Sequence, residues 1–386
     1  MKIACVGAGP AGLYSSILFK LHDPSHEVTV HERNPADAVN GVGVVFWEDL
    51  LEGLRHTDPV TAAAVESHAF QWRDQIFLKD GSSPLRDVST GFSMRRQDLL
   101  EILTARAVEL GVEIRHDSVV DPVDLPEADL VVAADGANSA IRQQRAPVFG
   151  TETRLNRNKY VWLSTPKVFH SFTFALVQTE AGPIWCHAYG FDAQTSTFIV
   201  ECTPETWTAL GFGGMDRAQS LSALARTFAE PLEGAALNSP ATREAGLRWL
   251  HFNHVKNERW YDANLVLVGD AAHTTHFSIG SGTKLALEDA MALASALRSD
   301  PDVTRALEGY SAGRRAVLAR MQRDAELSAK WFESMPRYSG LKDEQIFALL
   351  LERRSRVLPY LPPTWYLKLK GVRRELVARH ETRLHQ

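Results

Sequence analysis

Residues 7–12, GAGPAG, decide the fold of this chain, because they place the pattern Gly-x-Gly-x-x-Gly between a short apolar run and a helical pattern. The apolar run covers residues 2–6, the helical pattern covers residues 13–21, and a second apolar run, residues 28–31, ends at Glu32. In such a strand-helix-strand unit the glycines permit a tight turn, a close approach of a pyrophosphate to the backbone, and close packing of helix on strand. The chain therefore opens with a predicted dinucleotide-binding unit.

The side chains of this unit have predicted contacts with different parts of a dinucleotide. The start of the helix supplies amide donors and a positive dipole end for phosphates. The positions predicted to border the phosphates are Gly7, Gly9, Ala11 and Gly12. Glu32 is predicted to accept hydrogen bonds from a ribose diol. Arg33 leaves two alternatives open, because its guanidinium suits either a 2′-phosphate or the face of an adenine.

Two further apolar runs also end in polar residues. Residues 130–134 lead into Asp135, and residues 265–268 lead into Gly269 and Asp270. Open α/β sheets bind ligands beyond the carboxyl ends of their strands. Three such strand ends predict one extended ligand, which favours FAD over the compact cofactor domain of a simple NAD dehydrogenase. Asp270 is then predicted to hold the ribityl or pyrophosphate part of the flavin.

The composition limits the classes of function. The chain has 386 residues with a formal net charge of −5, which gives no electrostatic field for nucleic acid. No apolar run approaches the roughly 20 residues that cross a bilayer, so we expect a cytoplasmic protein without a membrane partner. The three cysteines, Cys5, Cys186 and Cys202, lack the spacing of a metal site and are predicted to be buried thiols. The sequence does not distinguish a monomer from a homodimer.

Three segments together resemble a known family. Residues 7–12, residues 135–142 and residues 269–273 (GDAAH) look like the three motifs of the single-component FAD-dependent aromatic hydroxylases, the para-hydroxybenzoate hydroxylase family. The resemblance implies FAD as cofactor, NAD(P)H as a transient reductant without a domain of its own, and O2 as co-substrate. It also implies hydroxylation of an aromatic ring through a flavin C4a-hydroperoxide, so the protein needs no nucleophile of its own.

The resemblance also assigns cofactor contacts. Glu32 and Arg33 would contact the adenosine half of FAD, Arg96 its phosphates, and Asp135 and Arg142 both FAD and the visiting nicotinamide. The helix that begins near residues 280–282 would direct its amides at the flavin pyrimidine. The implied contacts outside residues 7–12 are Glu32, Arg33, Gly43, Val44, Arg96, Asp135, Arg142, Gly269, Asp270, Gly280, Gly282 and Thr283.

A departure from the usual family pattern indicates the substrate. Where many members carry prolines, this chain has TTHFSIG at residues 274–280. That variant, with residues 41–47, 158–162 and 196–201, resembles a narrower group that includes hydroxylases of salicylyl-CoA, 2-aminobenzoyl-CoA and protodeoxyviolaceinate. The resemblance implies an aryl-CoA thioester such as salicylyl-CoA, hydroxylated at position 5. The alternative is an indole or tryptophan-derived biosynthetic intermediate.

His276 is the predicted catalytic residue. An imidazole with a pKa near 6.5 can position substrate or move a proton at neutral pH. The competing interpretation is a histidine at a helix entry that only bonds to backbone. No metal site is predicted.

The predicted fold class is α/β, with a Rossmann-like FAD-binding domain interleaved with an antiparallel-sheet substrate domain and a C-terminal helical segment. Residues 1–150 with 255–300 would form the FAD-binding domain, including a substrate-side insertion at about 45–95. Residues 151–254 would form the antiparallel sheet and residues 301–386 the C-terminal helices.

Three segments have patterns that predict which side chains are buried or bind a ligand. Residues 185–189 alternate like a half-exposed strand, and either the odd set (Trp185, His187 and Tyr189) or the even set faces the ligand. The helical pattern at 303–333 places Leu307, Tyr310, Val317 and Met321 on one apolar face. The basic tail, residues 365–386, has two interpretations: a phosphate-binding segment or a solvated helix face.

Overall fold

The fold is taken from a computed structural model, which describes residues 1–38, 42–239, 246–357, 361–362 and 365. Most of the basic tail lies outside the described residues, and so does Gly41, the first residue of the segment 41–47. The described part of the chain contains these strands: β1 Lys2–Val6, β2 Glu27–His31, β3 Gly43–Phe46, β4 Phe70–Lys79, β5 Leu85–Arg95, β6 Glu113–Arg115, β7 Leu130–Ala133, β8 Glu152–Thr165, β9 Phe172–Thr179, β10 Gly182–Gly190, β11 Ser196–Cys202, β12 Leu250–Lys256, β13 Tyr261–Asp262 and β14 Leu265–Leu267.

The helices cover both sheets. In chain order they are α1 Pro10–His22, α2 Glu48–Thr57, α3 Pro59–His68, α4 Arg96–Glu109, α5 Ala140–Gln144, α6 Ala146–Phe149, α7 Pro204–Ala209, α8 Arg217–Thr227, α9 Ala229–Leu232, α10 Gly282–Ser299, α11 Val303–Glu333, α12 Met335–Tyr338 and α13 Asp343–Leu351. None of the described helices combines the length and apolar composition that a bilayer crossing requires.

The first sheet has six strands in the order β13-β14-β7-β1-β2-β6. All neighbours are parallel except β13 and β14. The fully buried strands β7 and β14 are short and apolar, as expected for a parallel sheet covered on both faces. Because β1, β7 and β14 are adjacent and parallel, the three polar strand ends meet at one edge, with α1 and α10 packed together beside them.

The second sheet has eight strands in the order β12-β8-β11-β10-β9-β4-β5-β3. It is antiparallel except where β4 pairs with β9. The segment containing β3, β4 and β5 therefore extends the substrate-side sheet although it lies early in the chain. The predicted fold class, a Rossmann-like unit interleaved with an antiparallel sheet and followed by helices, is confirmed. The exact domain limits stay a prediction.

Two predicted details of packing are wrong. Strand β10 is almost wholly buried rather than half-exposed, because α8 and α9 cover one face of the sheet and α11 to α13 cover the other. On α11, Val317 is 67% exposed, whereas Leu318 is 1% exposed. The buried face continues from Leu307 and Tyr310 through Arg314 to Leu318, at the spacing of three or four residues that a helix requires. Val317 lies about 100° around the helix axis from Leu318.

Candidate active site

The GAGPAG loop lies against the neighbouring strand end. A Cβ atom on Gly7, whose φ is +107°, would lie 2.4 Å from the carbonyl oxygen of Ala134 just after β7, so only glycine fits there. A Cβ atom on Gly9 would meet no heavy atom within 4 Å in the part of the chain that the structure describes. One side of the loop is therefore packed on the sheet, and the other leaves room for a group to approach the backbone. Ala11 and Gly12 continue the loop into the first turn of α1.

Glu32 fixes this loop to the end of β2. Its Oε2 accepts a hydrogen bond from the backbone N–H of Ala8 at 2.8 Å, and its Oε1 accepts from the backbone N–H of Asn34 at 2.9 Å. Oε1 also accepts from Asn34 Nδ2 at 2.7 Å, so it is Oε2 that keeps a further lone pair for a hydroxyl donor. Arg33 is exposed beside it.

Arg142 joins the second polar strand end to the third. Its guanidinium is 1% exposed and donates to the carbonyl oxygens of Ala137 at 2.7 Å and Ala271 at 3.1 Å. Its buried Nε has no partner among the described residues, and the contacts of Arg142 with FAD and nicotinamide stay a prediction. Asp135 accepts from the backbone N–H of Ile141 through Oδ2, while its buried Oδ1 has no partner among the described residues.

Arg96 and Asp270 line a cleft between these strand ends and α4. Many protein atoms lie around both charged groups, although solvent still reaches Asp270 and, in part, Arg96. Groups that line a concave surface combine these two properties. This enclosure raises the pKa of the Asp270 carboxyl, opposed by the attraction of His273 and Arg96. It lowers the pKa of Arg96, opposed by Asp270 and Glu32. The opposite charges therefore face one cleft.

A buried network that the sequence analysis missed supports Gly269. Asp289, on α10, accepts from the Gly269 backbone N–H at 2.9 Å, from His273 Nε2 at 2.7 Å and from Arg314 Nε at 2.8 Å. Burial alone would raise the pKa of Asp289, but His273 and Arg314 together lower it. A charged residue within the apolar pattern LALEDAMAL was the available signal.

The remaining predicted cofactor contacts lie where the two sheets meet. Gly43 donates to Thr197 Oγ1 at 3.0 Å and accepts from the hydroxyl of Tyr189 at 2.9 Å, which attaches β3 to the second sheet. Val44 follows in β3, whereas Gly280, Gly282 and Thr283 lie just before and within the first turn of α10. A Cβ atom on Gly282 would meet no heavy atom of the described residues within 4 Å, so the described protein leaves the amino end of this long helix open.

These observations fit FAD. Several are independent of any motif match: the unpacked side of Gly9, the open start of α10, the orphaned Asp135 Oδ1, and the charged cleft between Arg96 and Asp270. They follow one another across three strand ends, as an extended anionic dinucleotide requires. The assignment of individual contacts stays a prediction.

The second sheet presents its odd-numbered β10 face to this junction. Trp185, His187 and Tyr189 lie on that face, whereas Cys186 and Ala188 belong to the core on the opposite side. Tyr160 and Trp162 of β8 lie next to Phe277, with ring-centroid distances of 4.7 and 6.4 Å. The site therefore has an aromatic wall suited to a flat ring.

Glu201, also missed by the sequence analysis, lies buried in that wall. Its carboxylate accepts from Asn158 Nδ2 at 2.8 Å and from Trp185 Nε1 at 3.1 Å, and lies 3.4 Å from His187 Nε2. Burial raises the pKa of Glu201, and the nearby His276 and the two hydrogen bonds only partly offset this effect. Burial lowers the pKa of His187 to about 3.

His276 lies where the third strand end meets the aromatic wall. It is 2% exposed, its ring centroid lies 4.9 Å from Phe252 and 4.2 Å from Phe277, and its Nδ1 lies 2.8 Å from Ser278 Oγ. Burial lowers its pKa to about 3, and the attraction of Glu201 opposes that shift. The structure thus brings His276 together with Glu201 and His187, which are distant in sequence.

A groove of about 520 Å³ opens on the surface beside this cluster. Its lining residues are Glu152, Thr153, Arg154, His254, Lys256, Glu326 and Lys330. Lys256 is paired with Glu326, whereas Arg154 and Lys330 form no ion pair within the described part of the chain. His254 is 5% exposed, and its Nε2 has no hydrogen-bond partner among the described residues. The ring of His254 lies 5.2 Å from Phe252, so one aromatic residue separates the groove from His276.

Comparison with known proteins adds three relatives. A family model described as FAD binding domain matches residues 125–325. The chain is 38% identical to salicyloyl-CoA 5-hydroxylase of a Streptomyces species over 346 residues, covering 88% of this chain and 66% of that longer protein. It is 38% identical over 336 residues to 3-hydroxy-4-methyl-anthranilyl-[aryl-carrier protein] 5-monooxygenase of Streptosporangium sibiricum, covering 87% of this chain and 90% of the relative. Protodeoxyviolaceinate monooxygenase of Chromobacterium violaceum is 31% identical, with 94% and 96% covered.

A solved structure shares the fold. The tetrameric form of 2-methyl-3-hydroxypyridine-5-carboxylic acid oxygenase superimposes with a TM-score of 0.71 at 19% sequence identity, covering 94% of each chain.

Proposed function

The chain belongs to the FAD-dependent aromatic hydroxylases, and we propose that it hydroxylates an aromatic ring carried as a thioester, with salicylyl-CoA as the specific candidate. It is an FAD-dependent monooxygenase, and NAD(P)H is the reductant typical of its family. The observation that carries the substrate proposal is the equal identity, 38%, to one relative named for a CoA thioester and another named for a carrier-protein thioester.

Bound FAD, reduced by NAD(P)H, would activate O2 for transfer to the ring. In this proposal Arg96, Asp270 and the open start of α10 bind the cofactor. The aromatic wall of Tyr160, Trp162 and Phe277 orients the substrate ring and excludes water. His276 holds an oxygen of the substrate.

The surface groove supports a thioester over a small free acid. The rings of Phe252 and His254 lead from His276 toward Lys256 at the surface. From Phe252 to Lys256 the strand spans roughly 13 Å, at about 3.3 Å per residue. Roughly 13 Å is about twelve bonds of extended chain, close to the number between the sulfur and the phosphate of a phosphopantetheine arm. We therefore assign the arm to this groove, with its phosphate near Arg154 and Lys330.

The first test compares thioester with free acid. FAD-loaded protein is given NAD(P)H in air with salicylyl-CoA or with salicylate, and the product mass is read in parallel. The proposal expects oxidation stimulated by the thioester alone and a product heavier by one oxygen. If neither compound stimulates oxidation, the thioester assignment fails, and the indole-type alternative suggested by the third relative becomes the one to test.

A charge reversal tests the groove. Lys330→Glu is expected to raise the KM for salicylyl-CoA about tenfold, by losing one charge-assisted contact with phosphate. The matched control is Arg320→Glu, a charge reversal on the same helix at a residue outside the groove whose side chain is 87% exposed. Equal KM values for the two variants would contradict the assignment of the phosphopantetheine arm to this groove.

A further inference from the structure

A chain of hydrogen bonds runs from Arg353 to the ring of His276. Arg353 Nε donates to Ser328 Oγ at 3.0 Å, Ser328 Oγ lies 2.7 Å from Ser278 Oγ, and Ser278 Oγ lies 2.8 Å from His276 Nδ1. All four residues are at most 8% exposed. These hydrogen bonds link the turn after α13 and the carboxyl-terminal part of α11 to the loop that carries His276.

The chemistry of its members gives this chain one direction. A guanidinium only donates hydrogen bonds, so Ser328 Oγ is an acceptor toward Arg353 and has its own hydrogen left for Ser278. Ser278 Oγ accepts that hydrogen and in turn donates its own to His276. The backbone N–H of Ser278 also points at Nδ1, at 3.3 Å. Both donors require an unprotonated Nδ1, and the ring proton of a neutral His276 then lies on Nε2.

We propose that Arg353, Ser328 and Ser278 are positioning residues that hold His276 as a neutral imidazole with its proton on Nε2, a fixed hydrogen-bond donor to a substrate oxygen. The tautomer follows from the hydrogen-bond chain alone. The identity of the oxygen, a phenolic or thioester oxygen, rests on the proposed function. In this state His276 cannot take a proton at Nε2, which favours the positioning role over that of a general base.

The charges around His276 agree with this assignment. The groups that face it are Glu201 on β11, His187 on β10, His254 on β12 and Arg353 after α13. Burial and the three positive or potentially positive groups oppose protonation, and only Glu201 favours it. The hydrogen-bond partners of Arg353 are the neutral oxygens of Ser328, Leu350 and Ser278. Its buried charge therefore adds a positive field that stabilises an anionic oxygen next to Nε2.

The first test reads the tautomer directly. Histidine-selective ¹⁵N labelling of the FAD-loaded protein gives the protonation state of each ring nitrogen, and loss of one signal pair in His276→Gln assigns it. Around neutral pH the expected pattern is Nε2–H with an unprotonated Nδ1. A Nδ1–H pattern or a doubly protonated ring would overturn the proposal. This readout needs no substrate, so it separates failure of this inference from failure of the proposed function.

Two variants test the series of hydrogen bonds from Arg353 to His276. Ser328→Ala removes the hydroxyl within a helix, where alanine is well tolerated, and frees Ser278 to accept a hydrogen bond. The Ser278 backbone N–H still favours an unprotonated Nδ1, so the variant is expected to populate the Nδ1–H tautomer only in part, and to lower kcat about tenfold with little change in KM. Arg353→Lys keeps a donor-only cation and is expected to retain the Nε2–H tautomer. If Ser328→Ala leaves both the tautomer and kcat unchanged, the chain does not position His276.

Discussion

Two buried carboxylates, one on each side of the site, are treated differently by the protein. Asp289, beneath the cofactor-binding strand ends, is 0% exposed and is bonded to a backbone N–H, a histidine and an arginine. Glu201, in the substrate-side wall, is 1% exposed, and among the described residues its hydrogen-bond donors are the neutral side chains of Asn158 and Trp185. As a result, the pKa of Asp289 is lowered and the pKa of Glu201 is raised.

The difference shows which carboxylate stabilises the fold and which lowers its stability. An ionised Asp289 is stabilised by the guanidinium of Arg314 and by the hydrogen bond from His273, and it holds Gly269 in place. An ionised Glu201 keeps a buried charge without a cation bonded to it, which costs stability. Costly buried titratable groups cluster at functional sites. The following predictions test this contrast, beginning with the largest effect.

Replacing Asp289 is expected to destabilise the fold most. Asp289→Ala leaves the Arg314 and His273 side chains and the Gly269 N–H without their acceptor, for a loss of about 3–5 kcal/mol. Glu288→Ala is the matched control, because Glu288 is more exposed and pairs with Arg314 and the partly exposed Lys284 rather than with His273 and Gly269. Urea unfolding of both variants measures the difference. Equal losses would show that Asp289 is not the anchor of this network.

The same carboxylate gives a pH signature. Its folded pKa lies below the unfolded value, so its contribution is present above the unfolded pKa, about 4, and is lost as pH falls through the folded pKa. The gap between wild type and Asp289→Asn should therefore narrow on acidification below about pH 4.

Replacing Asp270 is expected to remove flavin while leaving the fold intact. Asp270 lies in the cleft and no hydrogen bond of its carboxylate to a described residue supports the fold, so Asp270→Ala should weaken FAD binding about a hundredfold. Asp262→Ala, an acidic position before the same strand, serves as control. The flavin-to-protein absorbance ratio after gel filtration reports the result. Full flavin occupancy in Asp270→Ala would refute the assigned contact.

The open side of the GAGPAG loop predicts a smaller effect. Gly9→Ala fits the protein sterically but places a methyl group where the pyrophosphate is expected, so FAD affinity should fall about tenfold with unchanged stability of the flavin-free protein. Gly313→Ala, an equally unobstructed glycine within α11, is expected to leave FAD affinity unchanged. Equal FAD affinities for the two variants, measured by fluorescence titration, would contradict the predicted contact between Gly9 and the pyrophosphate.

The two sides of the site also differ in how far the sequence could predict them. The cofactor side follows from local constraints: glycines and acidic residues directly after apolar strands, within contiguous segments such as residues 7–12. The wall around Glu201 is assembled from strands whose paired residues lie 31 to 43 positions apart in the chain, as in the pairing of β8 with β11. The sequence alone does not determine which face of β10 borders the ligand. One face is covered by helices α11 to α13, which lie more than 100 residues further along the chain.

Single residues show the same limit. Asp289 and Glu201 each interrupt an apolar pattern, and such a buried charge was a signal that local reading could have used. Arg353 and Ser328 gave none, because a serine and an arginine in a helical region are ordinary surface residues. Only their contact with Ser278, 50 and 75 residues away in the chain, gives them a role.

The smallest effect, and the one that most sharpens the contrast, is expected for Glu201→Gln. The buried Oδ1 of Asn158 has no partner among the described residues, so a rotation of that amide lets the new side-chain NH2 donate to it while the carbonyl accepts from Trp185. The folded pKa of Glu201 is raised, so wild type loses stability as pH rises through that pKa, and the variant does not.

Glu201→Gln should therefore equal wild type in acid and be more stable than wild type above the raised pKa, as read from melting temperatures across pH. We expect hydroxylation to slow in the same variant, because a group that costs stability is retained for its function. A variant less stable than wild type at every pH would mean that Glu201 forms an ion pair with a protonated His187. The substrate side would then be stabilised by paired charges, as the cofactor side is around Asp289.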